Sequence, residues 1–277
     1  MGVVPGHVEM IHLRSFSLYR PEDGDPPGFP FNLPVIQTLE TLAFTAPVTF
    51  FVGENGSGKS TLLEALACAI GSITVGSESV KTDPSLAAVR RLADRMRLVW
   101  QKRTHKGFFL RAEDFFGYAR KMAQTRQELE DDLRSVEREY RDRSAEAAMF
   151  ARMPYASELG DIRRRYGEGL DARSHGESFL ALFQSRFVPG GLYLLDEPEA
   201  PLSPIRQLAL IAALKQMVAQ DAQFIIATHS PILMAFPDAL IYNFDAAPPQ
   251  PVAYADLEHV KLTRDFLDNP DAFLSRL

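Results

Sequence analysis

The stretch Gly53-Glu54-Asn55-Gly56-Ser57-Gly58-Lys59-Ser60-Thr61 matches the pattern GxxxxGK[ST] and decides the fold. An apolar run, Val48-Thr49-Phe50-Phe51-Val52, leads into it, and the helix formers Leu62-Leu63-Glu64-Ala65-Leu66-Ala67 follow. Strand, loop and helix in that order predict a phosphate loop. The glycines let successive backbone N–H groups turn inward around phosphate oxygens, and the helix N-terminus adds positive potential. Lys59 is placed to reach the β- and γ-phosphates of a nucleoside triphosphate, and the Ser60 hydroxyl to sit on Mg²⁺. A glycine-rich turn with a solvated lysine is the bland alternative, and the flanks weigh against it.

The second half of the chain supplies groups that complement such a loop. Leu192-Tyr193-Leu194-Leu195 is a continuous apolar run, as in a central parallel strand, and ends in Asp196-Glu197-Pro198. A strand ending in two carboxylates can put one on a metal shell and the next beside attacking water. Asp196 is assigned to Mg²⁺ and Glu197 to the general base. Phe224-Ile225-Ile226-Ala227 reads as the next strand and is followed by Thr228-His229-Ser230. Parallel strands end on one edge of the sheet, so His229 is expected near the phosphates, where an imidazole can sense the γ-phosphate. A solvated or capped histidine is the competing reading.

At 277 residues the chain can bury a full core, and 46% apolar with 24% charged residues is ordinary for a soluble protein. No apolar stretch is long enough to cross a bilayer and no basic-then-apolar leader opens the chain, so a cytoplasmic location without membrane insertion is expected. Cys68 is the only cysteine. No intrachain disulfide can form, and on the helix after the phosphate loop Cys68 reads as a packing residue.

Around these motifs an opening strand is expected over roughly residues 7–16, and a strand or strand pair over 35–44. Leu86–Met96 reads as a helix, and Leu98–Trp100 and Gly107–Leu110 as short strands. From Tyr118 to about Arg165 the pattern is helical, with Leu129, Leu133, Val136 and Tyr140 on one stripe and ion pairs such as Glu130–Arg134 outside. Ser203 and Pro204 start a further helix with Ile205, Leu208, Ile211, Leu214 and Val218 on its apolar face. Leu240–Tyr242 is a last strand.

The order of phosphate loop, Ser174-His175-Gly176-Glu177, Asp196-Glu197-Pro198 and Thr228-His229-Ser230 resembles an ABC-type ATPase head, a P-loop NTPase. The resemblance spans residues 7–244. It implies an α/β fold with a mostly parallel sheet, N-terminal antiparallel strands and an inserted helical lobe at about residues 72–173, all in one domain of residues 1–277. It also implies Mg-dependent ATP hydrolysis, with Ser174 and Gly176 closing over the γ-phosphate held by a second copy of the chain. Here His175 stands where the family's signature element has a glycine. Asp-Glu-Pro-Glu and Thr-His-Ser-Pro are similar to non-transporter heads of the RecF, chromosome-maintenance and lysogenization-defect types and to small bacterial AAA-family ATPases, rather than to transporter subunits. So is the opening His12-Leu13-Arg14-Ser15-Phe16, whose arginine approaches nucleotide in those heads.

The family's lobe-connecting glutamine, a metal-shell residue, corresponds to Gln101 or, if the Phe109-Leu110 strand closes the sheet, its place falls to Arg111 or Glu113. Tyr19 and Phe31 are the aromatic candidates for stacking adenine, and plain packing suits both. Arg90, Arg91, Arg95, Arg97, Lys102, Arg103, Lys106 and Arg111 make one basic region and Arg163–Arg165 another. Such runs suit a DNA or RNA backbone, while the net charge of −6 and the lack of base-reading motifs favour a solvated face. The expected partners are therefore ATP, a second copy and an effector protein, with DNA or RNA the alternative polymer.

Overall fold

The computed structural model describes residues 11–20, 28–75, 79–141, 143–166, 179–180, 183 and 185–275. Two sheets organise them. β5 (Phe109–Arg111), β6 (Leu192–Asp196), β7 (Gln223–Ala227), β3 (Val48–Val52), β8 (Leu240–Asn243) and β9 (Gln250–Pro251) form one six-stranded sheet in that order. Its first five strands run parallel and β9 closes it antiparallel. β1 (Leu13–Leu18) sits between β2 (Thr41–Ala43) and β4 (Met96–Trp100) in a separate antiparallel sheet.

The central strands are apolar at nearly every position because both of their faces are covered. Alternation persists within the run. Val48, Phe50, Val52, Tyr193, Leu195, Phe224 and Ile226 join a core with Leu210 and Leu214 of α6 (Pro204–Val218). Phe51, Leu192, Leu194, Ile225 and Ala227 join the opposite core. There they meet Leu62, Leu63 and Leu66 of α2 (Lys59–Ile70), the three-stranded sheet and α3 (Ala87–Ala93). A parallel sheet buried this way ends all its strands on one edge, and the phosphate loop opens there.

The lobe is a helical hairpin of α4 (Ala112–Glu139) and α5 (Ala145–Tyr166). Leu129 is its buried stripe residue, Glu130–Arg134 approach to 4.0 Å, and Glu137 on α4 pairs with Arg152 on α5 at 3.0 Å. The insertion expected from residue 72 therefore becomes a helical lobe only at Ala112. Within it α3, β4 and β5 return to the two sheets.

Three local expectations change. The segment 35–44 is not a strand pair: Pro34 at the first helical position starts α1 (Pro34–Thr38), and only Thr41–Ala43 extends. Val35 and Ile36 are apolar because α1 buries both, Val35 against Gly58 of the phosphate loop, not because they line a sheet. On α6, Leu214 and Val218 are buried as expected, but Ile205 and Leu208 are 76% and 57% exposed, and Leu210 and Met217 complete the buried face. β1 begins at Leu13 and runs to Leu18, later than anticipated; residues 1–10 lie outside the described ones.

Candidate nucleotide site

The phosphate loop leaves β3 and passes into α2 through glycines that the geometry demands. Gly58 is left-handed at φ 97°, and a Cβ on it would sit 2.5 Å from Cγ1 of Val35. No side chain caps α2, so its first N–H groups stay open to a ligand. The Ser57 hydroxyl is buried with no hydrogen-bond partner among the described residues. An uncapped helix start and an unpartnered hydroxyl in one loop fit phosphate oxygens. Lys59 meanwhile folds back, its Nζ donating to the carbonyls of Gly53 and Glu54 at 2.8 and 2.9 Å. Burial lowers its pKa, opposed by the nearby carboxylates of Glu197, Asp245, Asp196 and Glu54. Thr61 is the third residue of α2, and Asn55 and Gly56 form the exposed crest of the loop.

Two carboxylates from the end of β6 face this loop. Asp196 Oδ1 accepts from the Ser60 hydroxyl at 3.0 Å. Burial pushes the Asp196 carboxyl up to about 7; the Ser60 bond opposes this, and Glu64, Glu197 and Glu199 reinforce it. A hydroxyl and a carboxylate oxygen so paired suit a hard divalent cation that shares its shell with phosphates. Glu197 follows in the left-handed region at φ 48°, a conformation costly for a residue with a Cβ. Its amide bonds the Ala227 carbonyl at 2.9 Å, and its Oε1 lies 3.8 Å from His229 Nε2. Lys59, Ser60, Asp196, Glu197 and His229 thus come together on one sheet edge, as parallel strands require.

Gln101 does not join them. Its amide bonds the His12 carbonyl at 2.8 Å, while His12 Nε2 meets the Asp221 carbonyl at 2.7 Å just before β7 begins. That is the sheet edge opposite the phosphate loop, so Gln101 is not a metal-shell residue: β4 belongs to the antiparallel sheet and runs away from the site. The neighbouring Arg14 is exposed at that same far edge, because the backbone of Leu13 is tied to Gln223 at the start of β7. Arg111, one of the two alternatives for that place, ends β5 in register with Asp196. Ser174 and Gly176 lie outside the described residues, as does the rest of Ser174–Glu177.

Other candidates resolve into packing. Phe31 is buried with the guanidinium groups of Arg91 and Arg95 over its ring at 5.6 and 4.7 Å. Arg90 donates to the carbonyls of Val80 and Asp83, Lys106 to that of Pro189, and Arg111 is buried among carboxylates. Much of the first basic run therefore serves the protein itself. Cys68 is half-buried, and burial raises its thiol to about 11.

Some site residues were not legible beforehand. A cleft of about 890 Å³ has the phosphate loop and His229 on one wall and Leu257, His259 and Leu262 on another. His259 comes from α7 (Glu258–Asp268), and burial together with His229 holds its imidazole below the usual value. Asp245 Oδ1 accepts from the Glu54 amide at 2.7 Å, and a Cβ on Gly53 would meet that oxygen at 2.8 Å. Glu199 braces the His229 turn. Its sequence signal is the second glutamate of Asp-Glu-Pro-Glu.

Residues 35–145 match the family model described as "AAA domain", and residues 178–235 the one described as "AAA domain, putative AbiEii toxin, Type IV TA system". The cobalt import ATP-binding protein CbiO of Salmonella typhimurium is 26% identical over 72% of this chain and 67% of its own length. The CbiO of Salmonella typhi is also 26% identical, over 71% and 66%. Among solved structures, the Smc head domain of Pyrococcus furiosus bound to the C-terminal domain of ScpA is similar at 14% identity. It covers 93% of this chain and 99% of that one, with a TM-score of 0.45. An ATP-binding cassette of an ABC transporter in its ADP conformation covers 91% and 98% at 16% identity, with a TM-score of 0.44. The two AAA-domain matches, together with the phosphate loop and the Asp196–Glu197 strand end, support an ABC-type ATPase head and an ATP-hydrolysing enzyme. Among the described residues no helix is long and apolar enough to cross a membrane.

Proposed function

We propose that the chain hydrolyses ATP between two copies of itself. The loop Gly53–Thr61 of one copy would hold the triphosphate, and Ser174 and Gly176 of the other would cover it. Ser60 and Asp196 would hold Mg²⁺, whose charge screens the phosphate oxygens. Lys59 would leave the Gly53 and Glu54 carbonyls for the β- and γ-phosphates. Glu197 takes a proton from water as the water oxygen bonds to the γ-phosphorus. The bond to the bridging oxygen breaks, giving ADP and phosphate. His229 steadies the γ-phosphate side of that geometry. The observation that supports this reading most is the approach of Glu197 to His229 at 3.8 Å beside the Ser60–Asp196 pair.

The test is Glu197→Gln with ATP and Mg²⁺, sized in solution with and without DNA. Slowed turnover and a trapped dimer are expected. A variant monomeric at saturating ATP would reject the two-copy mechanism, and one hydrolysing at the parental rate would reject Glu197 as base. The dimer would act in DNA maintenance or defence, or as a nucleotide-timed switch on an effector protein. Stimulation by DNA with a steep salt dependence distinguishes the first role from the second. The similarity to CbiO favours a second reading, the energy subunit of an importer. Asp-Glu-Pro-Glu and Thr-His-Ser-Pro speak against it, and copurification with an integral membrane protein would establish it.

A further inference from the structure

His229 stands just beyond the last ladder residue of β7, so its backbone N–H has lost its strand partner. A side chain replaces the lost partner. Oε1 of Glu199 accepts from the His229 amide at 2.6 Å and from the Thr228 hydroxyl at 2.7 Å. The bonds then close a ring. The Ser230 amide donates to the Thr228 hydroxyl at 3.0 Å, and the Ser230 hydroxyl donates to Oε1 of Gln207. Gln207 Nε2 reaches the Leu202 carbonyl at 3.2 Å, and the Leu202 amide returns to the Glu199 carbonyl at 2.8 Å. Residues 199–202 and the His229 turn are therefore one hydrogen-bonded unit, three residues beyond Asp196.

Stability alone does not account for a carboxylate here. Oε2 of Glu199 is buried with no hydrogen-bond partner among the described residues, and an unpartnered buried oxygen costs free energy. One oxygen that accepts from both the His229 amide and the Thr228 hydroxyl holds the turn in one geometry, and such stiffness matters where a side chain must meet the γ-phosphate.

We infer that Glu199 is a positioning residue for hydrolysis. It fixes the backbone that carries His229, and through Gln207 and Leu202 it ties that backbone to the segment following Pro198. The inference rests on the roles proposed above for Glu197 and His229. Glu199 acts through His229, whose amide it holds.

The experiment compares kcat, KM for ATP and ADP affinity for the parental chain, Glu199→Ala, Glu199→Gln, His229→Ala and the Glu199→Ala/His229→Ala double variant. Glu199→Ala is expected to lower kcat by roughly tenfold or more, with KM and ADP affinity within about twofold of parental. Glu199→Gln should recover most of that loss, because its amide oxygen can accept the same two bonds. The double variant should be no slower than His229→Ala alone. Thr228→Val leaves Glu199 in place and removes one donor, so it keeps the inference testable if Glu199→Ala does not fold; a smaller fall in kcat is expected. An impaired His229→Ala beside a parental Glu199→Ala or Thr228→Val would overturn this inference alone, as would losses that simply add in the double variant. A parental His229→Ala would overturn it together with the proposed role of His229.

Discussion

Ser60 and Asp196 lie 136 residues apart in sequence and meet across 3.0 Å, the hydroxyl donating to the carboxylate. The contact joins the first turn of α2 to the last residue of β6. It is why two distant motifs form one site, and it sits where burial makes Asp196 a reluctant acid. Burial raises its pKa from 3.8 to about 7, the Ser60 bond only partly opposing the shift.

Mg²⁺ takes the ionised carboxylate, so its binding with nucleotide must displace a proton from Asp196 wherever the pH lies below about 7. Affinity for Mg²⁺ in the presence of ADP is expected to fall by roughly tenfold per pH unit below that point and to level off above it. Calorimetric titration across this range measures it. A flat profile through neutrality would remove Asp196 from the metal shell.

The same shift makes Asp196 a burden on the fold without metal. Its folded pKa exceeds its unfolded one, so the protonated form is the one the fold favours. The cost is absent below pH 3.8, grows through the interval and is complete above about 7. Asp196→Asn keeps an acceptor for Ser60 and removes the charge. Its Tm without nucleotide should exceed the parental value by several degrees at alkaline pH, by on the order of a few kcal/mol in stability. The gap should close toward pH 4, while Mg-dependent turnover is lost. Equal melting at both pH values would show that the charge is not the cost.

What the sequence discloses follows the range of the forces involved. The phosphate loop depends on a local string, and the sheet on apolar runs whose period-two alternation survives in Tyr193/Leu195 against Leu192/Leu194. Both were legible. Residues 35–44 misled because Val35, Ile36, Thr38 and Leu39 carry strand-like composition. The burial of Val35 against Gly58 by a five-residue helix is a tertiary fact, and Pro34 is its one local sign. Gln101 failed for a related reason: its distance in sequence from Lys59 was plausible, but β4 pairs with β1 and carries it to the wrong edge. Ile205 and Leu208 are apolar yet exposed, which periodicity cannot distinguish from a buried face. Glu199 acts through its buried side chain on a turn 30 residues away, a contact no spacing rule reveals.

Gly58 tests the loop itself. Its φ of 97° disfavours any residue with a Cβ, and the added atom would lie 2.5 Å from Val35 Cγ1. Strain of about 1–3 kcal/mol follows from the backbone alone. Val35 cannot yield freely, since it is buried beneath the loop. Gly58→Ala is expected to lower the Tm and to weaken ADP binding at least tenfold, read by calorimetry. Gly117 in α4 is the control, because a Cβ added there would meet nothing within 4 Å. Gly117→Ala should leave ADP binding as it was.

Arg111 joins the site to the lobe. It ends β5 beside Asp196 and immediately precedes α4. Its guanidinium bonds Asp114 at 2.8 and 3.1 Å, Asp83 at 3.0 Å, the Ser85 hydroxyl at 3.2 Å and Glu64 of α2 at 3.4 Å. Burial alone would raise the pKa of Asp83, but the Ser85 hydroxyl and amide, then Arg111, outweigh it and hold the carboxyl below its ordinary value. A depressed folded pKa contributes stability above the unfolded pKa, and that stability is lost as pH falls through the folded one. Arg111→Met keeps the packing volume and strands the carboxylates, which should cost about 3–5 kcal/mol at neutral pH. In acid the carboxylates take up protons and no longer need the cation, so the deficit should shrink. Urea unfolding at neutral and acid pH measures both. A deficit of equal size at the two pH values would mean that Arg111 contributes packing rather than charge.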